Sequence, residues 1–490
     1  MVPPAGSLSV APGAQRRRRL HGAQLCSPKP SHFLTGFSDE TLRAKAREGG
    51  GPSEEGVGSV SLEGGGCAGV SSEKRAAYRQ EAGAAGAMAG FPREMAALVR
   101  QSNAAALAER LALTSADASK RQFVDYMKTK SYTAVLSESE RVMSADWAEV
   151  VCHSVKAAIG VIDQNLSEAY MHQEASVEAY LRIFKTLTKQ WLPVLKQLLI
   201  DLRKLGGQVD KELRADGKGT EACKLESAGR IMRKMLAQEL RDEENDKLVS
   251  RTQGALFVAN QCNKVFFALN TLKHVRSLVL PPMMQVHEYP TPDRVTWSYF
   301  QGRMALMESR FEEAEKDLAF AFNNCPAAYA SNRRLILSYL VPVRLLLHQN
   351  RPSPTRRAAL PSAALLQQYK LVEFNKLVQA FRSGNVKLFD EALEENQDFY
   401  IKKAIYFLLH KLKLCVYRNL FKKAYNIIGK SQIKLEVLVC AVRAAGGDAD
   451  DQQVECMLAN LIHQGLVKGY IAHKQQVVVL KKDDPFRVNA

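Results

Sequence analysis

At 490 residues the chain exceeds the roughly 250–300 that one core organises, and its 46% hydrophobic and 24% charged content is that of a globular protein, so more than one domain is expected. A net charge of +17 points to a polyanion or an acidic protein as partner. Nine cysteines without a single Cys-x-x-Cys exclude a zinc ribbon and a dense disulfide scaffold, and no run of 18 apolar residues is present to span a bilayer.

The scattered cysteines suit a reducing compartment, with Cys262, Cys325, Cys415, Cys440 and Cys456 expected as small core residues. The longest apolar stretch, Leu335–Leu347, contains Pro342 and Arg344 and is too short to cross a membrane. No signal-peptide core follows the N-terminal arginines, so a soluble intracellular protein is expected, with no metal and no cofactor.

Residues 1–90 hold 16 of the 30 glycines and only three aromatics, Phe33, Phe37 and Tyr78. Such a segment buries too little apolar surface to offset chain entropy, so a disordered Gly-rich extension is expected. Its Gly64-Gly65-Gly66-Cys67-Ala68-Gly69 string matches a nucleotide-binding fingerprint but lacks the strand and helix that would make it one. Arg16–Arg19 reads as an import signal or a nonspecific contact, set against the chance occurrence of such runs, and Met88 is a candidate start for a shorter form.

From 91 to 400 apolar residues recur at three- and four-residue spacing, for example in Trp147–Gln164, Val177–Leu205 and Arg230–Leu240, which predicts helices. Gly206-Gly207 and Asp216–Gly219 read as breaks. Trp297, Phe300, Met304, Met307 and Phe311 stripe one helix, and Ala314, Leu318, Ala321 and Cys325 stripe a second that Pro326 stops. Gly302, Phe311, Ala314, Ala321 and Pro326 are spaced like a tetratricopeptide (TPR) repeat, so a TPR-like helical solenoid is expected. A Pro-rich linker, Arg351–Arg357, interrupts the helices, which resume over Leu365–Phe381 and, after the Ser383-Gly384-Asn385 turn, over Val386–Glu394. Glu312, Glu313, Glu315 and Asp317, like Glu391 and Glu395, read as solvated helix faces.

From 401 to 485 the order changes. Ile401, Ile405, Leu408, Leu412 and Cys415 stripe one helix, and Leu420–Ile428 forms another that Gly429 ends. Ile433–Leu435 is a short strand leading into a helix through Val442, and Val454–His463 is a further helix closed by Gly465. Leu466–Ile471 and Val477–Leu480 then pair as a hairpin across His473–Gln475. That succession is the winged-helix order.

No nucleophile–base pair, phosphate-loop string or metal-ligand spacing occurs, and the histidines are dispersed, so an enzyme is not expected. The strongest chemical signal is charge. Lys402, Lys403, Lys411, Lys413, Arg418, Lys422, Lys423, Lys430 and Lys434 fall between 401 and 434 with no acid among them. Lys402 and Lys413 are expected on one helical face, and Tyr406, Tyr417 and Tyr425 are interleaved. Cations suit phosphate oxygens and exposed aromatics suit single-stranded bases. The dull reading is that these lysines solubilise two amphipathic helices. Gln452–His463, in the recognition-helix position, has no Lys or Arg, which argues against base reading in a major groove. The wing adds Lys468, His473, Lys474, Lys481 and Lys482.

Helical repeats closed by a winged helix are the layout of PCI domains. The strings Arg294-Val-Thr, Gly302-Arg303, Leu337-Ser-Tyr-Leu-Val-Pro342, Tyr417-Arg-Asn-Leu-Phe-Lys-Lys423 and Val454–His473 resemble the mRNA-export subfamily, the Thp-one-like PCI subunits. The likeness covers residues 250–485 well, is weak over 91–250 and absent before. Arg351–Leu360 departs from it as an insertion. The resemblance implies a nuclear subunit, at nuclear pores with some cytoplasmic pool, of the transcription-and-export complex two. Its implied partners are a large scaffold of the Sac-three or germinal-centre-associated nuclear protein type, a small acidic protein shared with the proteasome lid, and the phosphate backbone of RNA or DNA. Lys402, Lys403, Lys411, Lys413, Arg418, Lys422, Lys423, Lys430, Lys434, Lys468 and Lys474 would be the nucleic-acid platform. The competing expectation is an architectural PCI subunit of a lid, signalosome or initiation-factor complex that binds no nucleic acid.

Overall fold

The computed structural model describes residues 90–115, 117–217, 224–238, 240, 250–350 and 361–486. The expected disordered extension, its Gly-rich string and arginine run, and the Arg351–Arg357 linker lie outside these residues. The described chain is mostly helical, as the apolar spacing predicts.

Ten helices come first: α1 over residues 90–100, then α2 (Ala104–Leu111), α3 (Ala118–Thr129), α4 (Tyr132–Glu140), α5 (Ala145–Ile162), α6 (Leu166–Phe184), α7 (Leu192–Ala215), α8 (Lys224–Gln238), α9 (Ala255–Ala268) and α10 (Leu272–Arg276). Asn103, Ser131 and Asn165 start α2, α4 and α6 by accepting from backbone N–H groups of the first turn. The α5–α6 pair is closely apposed because small residues line its seam. The Ser154 and Ser176 hydroxyls meet at 2.8 Å, and a Cβ on Gly160 would stand 2.9 Å from Ala169.

Two expectations about this region fail. Val177–Leu205 is not one helical piece: α6 ends at Phe184, a 3-10 turn spans Lys189–Trp191, and α7 begins at Leu192. Pro193 sits in the first turn of α7, where its missing N–H costs no intrahelical bond. Gly206-Gly207 does not break α7. A Cβ on Gly206 would lie 3.2 Å from the Leu225 backbone and the Tyr170 ring, so the glycine lets three helices approach.

The helical hairpin forms as α11 (Thr291–Met307) and α12 (Phe311–Asn324). Its inward set is wider than the expected stripe: Val295, Tyr299, Phe300, Gly302 and Leu306 are buried, whereas Met307 is exposed. The reason is that α11 packs on both sides. A Cβ on Gly302 would meet Leu318 Cγ at 2.7 Å, so α12 crosses at the glycine.

There follow α13 (Ala330–Asn350), α14 (Ala363–Gln368), α15 (Asn375–Ser383), α16 (Val386–Glu395), α17 (Gln397–Lys402) and α18 (Tyr406–Ile428). Then come β1 (Gln432–Lys434), α19 (Leu435–Ala444), α20 (Asp451–His463), β2 (Gly469–Ala472) and β3 (Val477–Leu480). The strands form one antiparallel sheet in the order β1-β3-β2, which with α18, α19 and α20 is a winged helix. The span expected as one helix over Leu365–Phe381 is two, α14 and α15, parted at Lys370 with φ +53°. The two helices expected around Leu412 and Leu420–Ile428 are one 23-residue helix, α18. No Gly or Pro lies between Cys415 and Leu420 to end it.

Buried side chains form two clusters. One runs from Phe91 to Met304, the other from Val295 to Phe486. The helix α11 contributes to both, and the winged helix shares its core with α12 to α18 rather than owning one. Gly384 marks the joint. It ends α15 with φ +70°, and a Cβ there would lie 2.8 Å from the Leu420 backbone nitrogen. Gly384→Ala is therefore expected to cost about 2–4 kcal/mol, the sum of left-handed strain and a clash with unyielding backbone. Urea unfolding followed by circular dichroism measures it; a change under about 0.5 kcal/mol would mean that α15 and α18 can part freely.

Cys262, Cys325 and Cys415 are buried as expected, but Cys440 and Cys456 are exposed, because they fall on the outer faces of α19 and α20. Cys152, unremarked in the sequence, is buried. Among the described residues no helix is long and apolar enough to cross a membrane.

Candidate nucleic-acid interface

The wing is built by strand alternation. Val478 and Leu480 point into the core, so Val477 and Val479 face outward. Register then places Gln432 and Tyr470 on either side of Val479, and Lys434 and Ala472 on either side of Val477. Tyr470 is 62% exposed. It stands on an open sheet face about 10 Å from the β1 edge, two strand spacings away.

Cations flank this face at both ends. At one end the Ser431 carbonyl accepts from Leu480 N (2.7 Å) and the Lys468 carbonyl from Lys481 N (2.9 Å). Lys430, Lys468, Lys481 and Lys482 are thereby gathered from three segments. At the other end Leu435 N donates to the Gln476 carbonyl (2.9 Å), which brings Lys434 beside the turn that carries Lys474. Lys430, Lys434, Lys474, Lys481 and Lys482 are exposed and Lys468 is half-buried. Glu436 adjoins one end, and Asp483 and Asp484 the other, so acids border the cations at both ends.

The remaining expected residues divide. Lys402 and Lys411 are exposed. They do not share a helix with each other or with the expected geometry, because the chain turns at Ala404 (φ +56°) between α17 and α18; Lys402 and Lys413 therefore lose their common face. Lys413 is ion-paired with Asp390 of α16 at 2.8 Å, an acid that the acid-free stretch did not advertise. Lys423 is exposed yet donates to the Ser383 carbonyl at 2.7 Å, closing the end of α15. Lys422 is half-buried and takes part in internal contacts. Lys403 lies 6.0 Å from the Phe399 ring. Its pKa is lowered by burial, then by the Arg303 and Arg334 cations nearby.

Arg418 is the clear correction. It is 4% exposed. Its Nε donates to the Leu466 carbonyl at 3.0 Å and its Nη2 to the Phe486 carbonyl. It ties α18 to the wing and the C-terminal segment and offers nothing to a phosphate.

The interleaved tyrosines fail as a stacking platform. Tyr417 is buried, which raises its pKa. Tyr425 packs against Phe486 and Tyr406 against His410. The exposed rings are Phe407, 83% exposed and one turn from Lys411, and Tyr470. Sequence reasoning missed both. Tyr470 was detectable, since it alternates with the apolar Ile471, which packs against the core.

The helix α20 starts at Asp450, whose carboxylate accepts from Gln453 N at 2.7 Å. Its outward residues are Asp451, Gln452, Gln453, Cys456, Ala459, Asn460 and His463. His473 of the wing turn pairs with Glu455 at 2.8 Å, so that histidine braces the wing.

Elsewhere, His153 of α5 and His172 of α6 meet with Nδ1 atoms 3.1 Å apart. Burial, first of all, lowers both pKa values, that of His153 to about 4. Among the described residues no three His, Cys, Asp or Glu side chains could hold a metal ion. Glu395 pairs with Lys376 at 2.5 Å and Glu391 is exposed, in keeping with a wet helix face.

Comparison with known proteins bears on this geometry. The PCI domain family matches residues 393–482, the span of the winged helix and the helix before it. The chain is 32% identical over 355 residues to PCI domain-containing protein 2 of Xenopus laevis, covering 71% of this chain and 86% of that one. It is 33% identical over 365 residues to Enhanced ethylene response protein 5 of Arabidopsis thaliana, covering 72% and 84%. It is also 28% identical to the Protein CSN12 homolog of Schizosaccharomyces pombe over 71% of this chain and 85% of that protein.

Proposed function

Since the chain belongs to the family of PCI domain-containing protein 2, we propose that it is a non-enzymatic adaptor subunit of a nuclear complex coupling transcription to mRNA export. In this reading the helical repeats hold a large scaffold of the Sac-three or germinal-centre-associated nuclear protein type. A small acidic protein of the kind shared with the proteasome lid completes the complex, and the protein works at nuclear pores with a cytoplasmic pool. The wing grips RNA or single-stranded DNA through its phosphates without reading bases.

The observation that carries the nucleic-acid part is the wing face, where Tyr470 stands open between Lys434 and Lys474 at one end and Lys430, Lys468, Lys481 and Lys482 at the other. An exposed ring takes any base, and flanking ammonium groups take any backbone. The outward face of α20, which carries no Lys or Arg, fits the absence of base reading.

A second reading, an architectural subunit of a lid, signalosome or initiation-factor type complex, is favoured by one observation. Lys413, Arg418 and Lys423 are spent inside the fold. Purification of the tagged chain from its own cells, with and without nuclease, separates the two. Nuclease-resistant recovery of an export scaffold with a small acidic protein is expected. Recovery of lid, signalosome or initiation-factor subunits in their place would replace the export reading with the architectural one.

A further inference from the structure

A second basic surface lies on the helical repeat, within the first hydrophobic cluster rather than the one that contains the wing. The helices α8 and α10 and the segment after α10 enclose an open pocket of about 470 Å³. It is lined on one side by Arg233, Lys273 and His274, and on the other by Leu236, Leu278 and Val279. No carboxylate lines it among the described residues. Arg276, close in sequence, is turned away and paired with Glu308 at 2.7 Å.

The cations are positioned rather than loose. Arg233 Nη1 lies 3.1 Å from His274 Nδ1. A guanidinium has only donors, so His274 Nδ1 is the acceptor in this contact. The His274 ring is itself seated on Phe266, with centroids 5.3 Å apart, and its carbonyl accepts from the Ser277 hydroxyl at 3.0 Å. Arg233, Lys273 and His274 thus all line one small space. A single carboxylate is satisfied by one arginine; three convergent donors suit a compact dianion.

The opposite wall selects the rest of the ligand. It is aliphatic, with no aromatic ring for a nucleobase to stack on. Val279 is 65% exposed at this wall. We propose that the pocket formed by Arg233, Lys273 and His274 against Leu236, Leu278 and Val279 is a recognition site for a phosphorylated serine or threonine in a peptide with aliphatic neighbours. Such a site would make partner binding by the repeat dependent on phosphorylation, independently of the wing.

The test uses the full chain and fluorescence anisotropy. The probes are a labelled Leu-phosphothreonine-Leu-Leu peptide and its unphosphorylated twin, with inorganic phosphate as competitor. The phosphopeptide is expected to bind at least about tenfold more tightly than its twin, and Arg233→Ala or Lys273→Ala to weaken it by about tenfold or more, each a difference of about 1.4 kcal/mol. Both side chains are exposed, and circular dichroism is expected to be unchanged. Val279→Ser should weaken the peptide while leaving competition by inorganic phosphate intact. Lys434→Glu in the wing should change nothing. Equal binding of the twin, or wild-type affinity in the Arg233→Ala/Lys273→Ala double variant, overturns the proposal. Inorganic phosphate competing at the peptide's own affinity, with Val279→Ser silent, reduces the pocket to a simple ion site and overturns the peptide assignment.

Discussion

Replacing Lys434, Lys474, Lys481 and Lys482 together with Glu is expected to weaken binding of unstructured RNA or single-stranded DNA by at least about a hundredfold at moderate salt. The four side chains are exposed, and among the described residues no hydrogen bond or ion pair ties their ammonium groups to the fold, so the change falls on the surface potential rather than on stability. For single strands each phosphate contact contributes about 0.7 to the slope of log affinity against log salt, so the variant's slope should fall by as much as about 3. Tyr470→Ala, made separately, should cost about 1–3 kcal/mol of affinity with the salt slope untouched, because stacking releases no counterions. The two signatures together would assign phosphate contact to the lysines and base contact to the ring. A quadruple variant that binds like wild type, with its slope intact, would remove the wing from the interface.

The choice of those four residues shows where the sequence runs out. A set taken from charge alone, such as Lys402, Lys413, Lys422 and Lys423, mixes one free-standing cation with three that the fold engages: Lys413 on Asp390, Lys423 on the Ser383 carbonyl, and Lys422 through internal contacts. The Asp390 partner is 23 residues away and the Ser383 carbonyl 40, beyond any local pattern. Local periodicity carries the helices, the Gly429 stop and the hairpin, because each is decided by residues within one or two turns of each other. The same logic explains the failures in helix length. Nothing in Cys415–Leu420 can end a helix, so the single α18 was legible there, while the break at Lys185–Thr188 is announced only by Pro193 several residues on. Gly206 reads as a break from sequence and is a contact in the fold, since a glycine that admits a neighbouring helix and a glycine that ends one look alike until the neighbour is known. The PCI family itself was legible from the winged-helix order and the strings around Gly302 and Val454, and the comparisons bear it out.

Arg418→Ala is expected to behave in the opposite way to the wing lysines, losing about 3–5 kcal/mol of stability while leaving the nucleic-acid affinity of the folded fraction unchanged. The argument rests on what the guanidinium holds. Leu466 and Phe486 are 48 and 68 residues distant, and both of their carbonyls accept from this one side chain. The guanidinium also lies 5.9 Å from the Phe486 ring, which packs in turn on Tyr425 of α18. Truncation removes two charge-assisted hydrogen bonds, leaves their carbonyls without this donor, and opens a hole where a 4%-exposed side chain had been. The segment after β3 should detach first, because Arg418 joins the bond between Lys468 N and Pro485 O, the bond between Lys481 N and Lys468 O and the buried Phe486 ring in fastening it. Limited proteolysis should therefore cut the variant near residues 481–486 before the rest of the wing, and urea midpoints should fall in step. Lys is a poor rescue, since an ammonium presents a point charge where a planar fork spans two carbonyls. Wild-type stability in Arg418→Ala, combined with an affinity loss of tenfold or more, about 1.4 kcal/mol, would return Arg418 to the binding surface and would mean that α18 and the wing part to expose it.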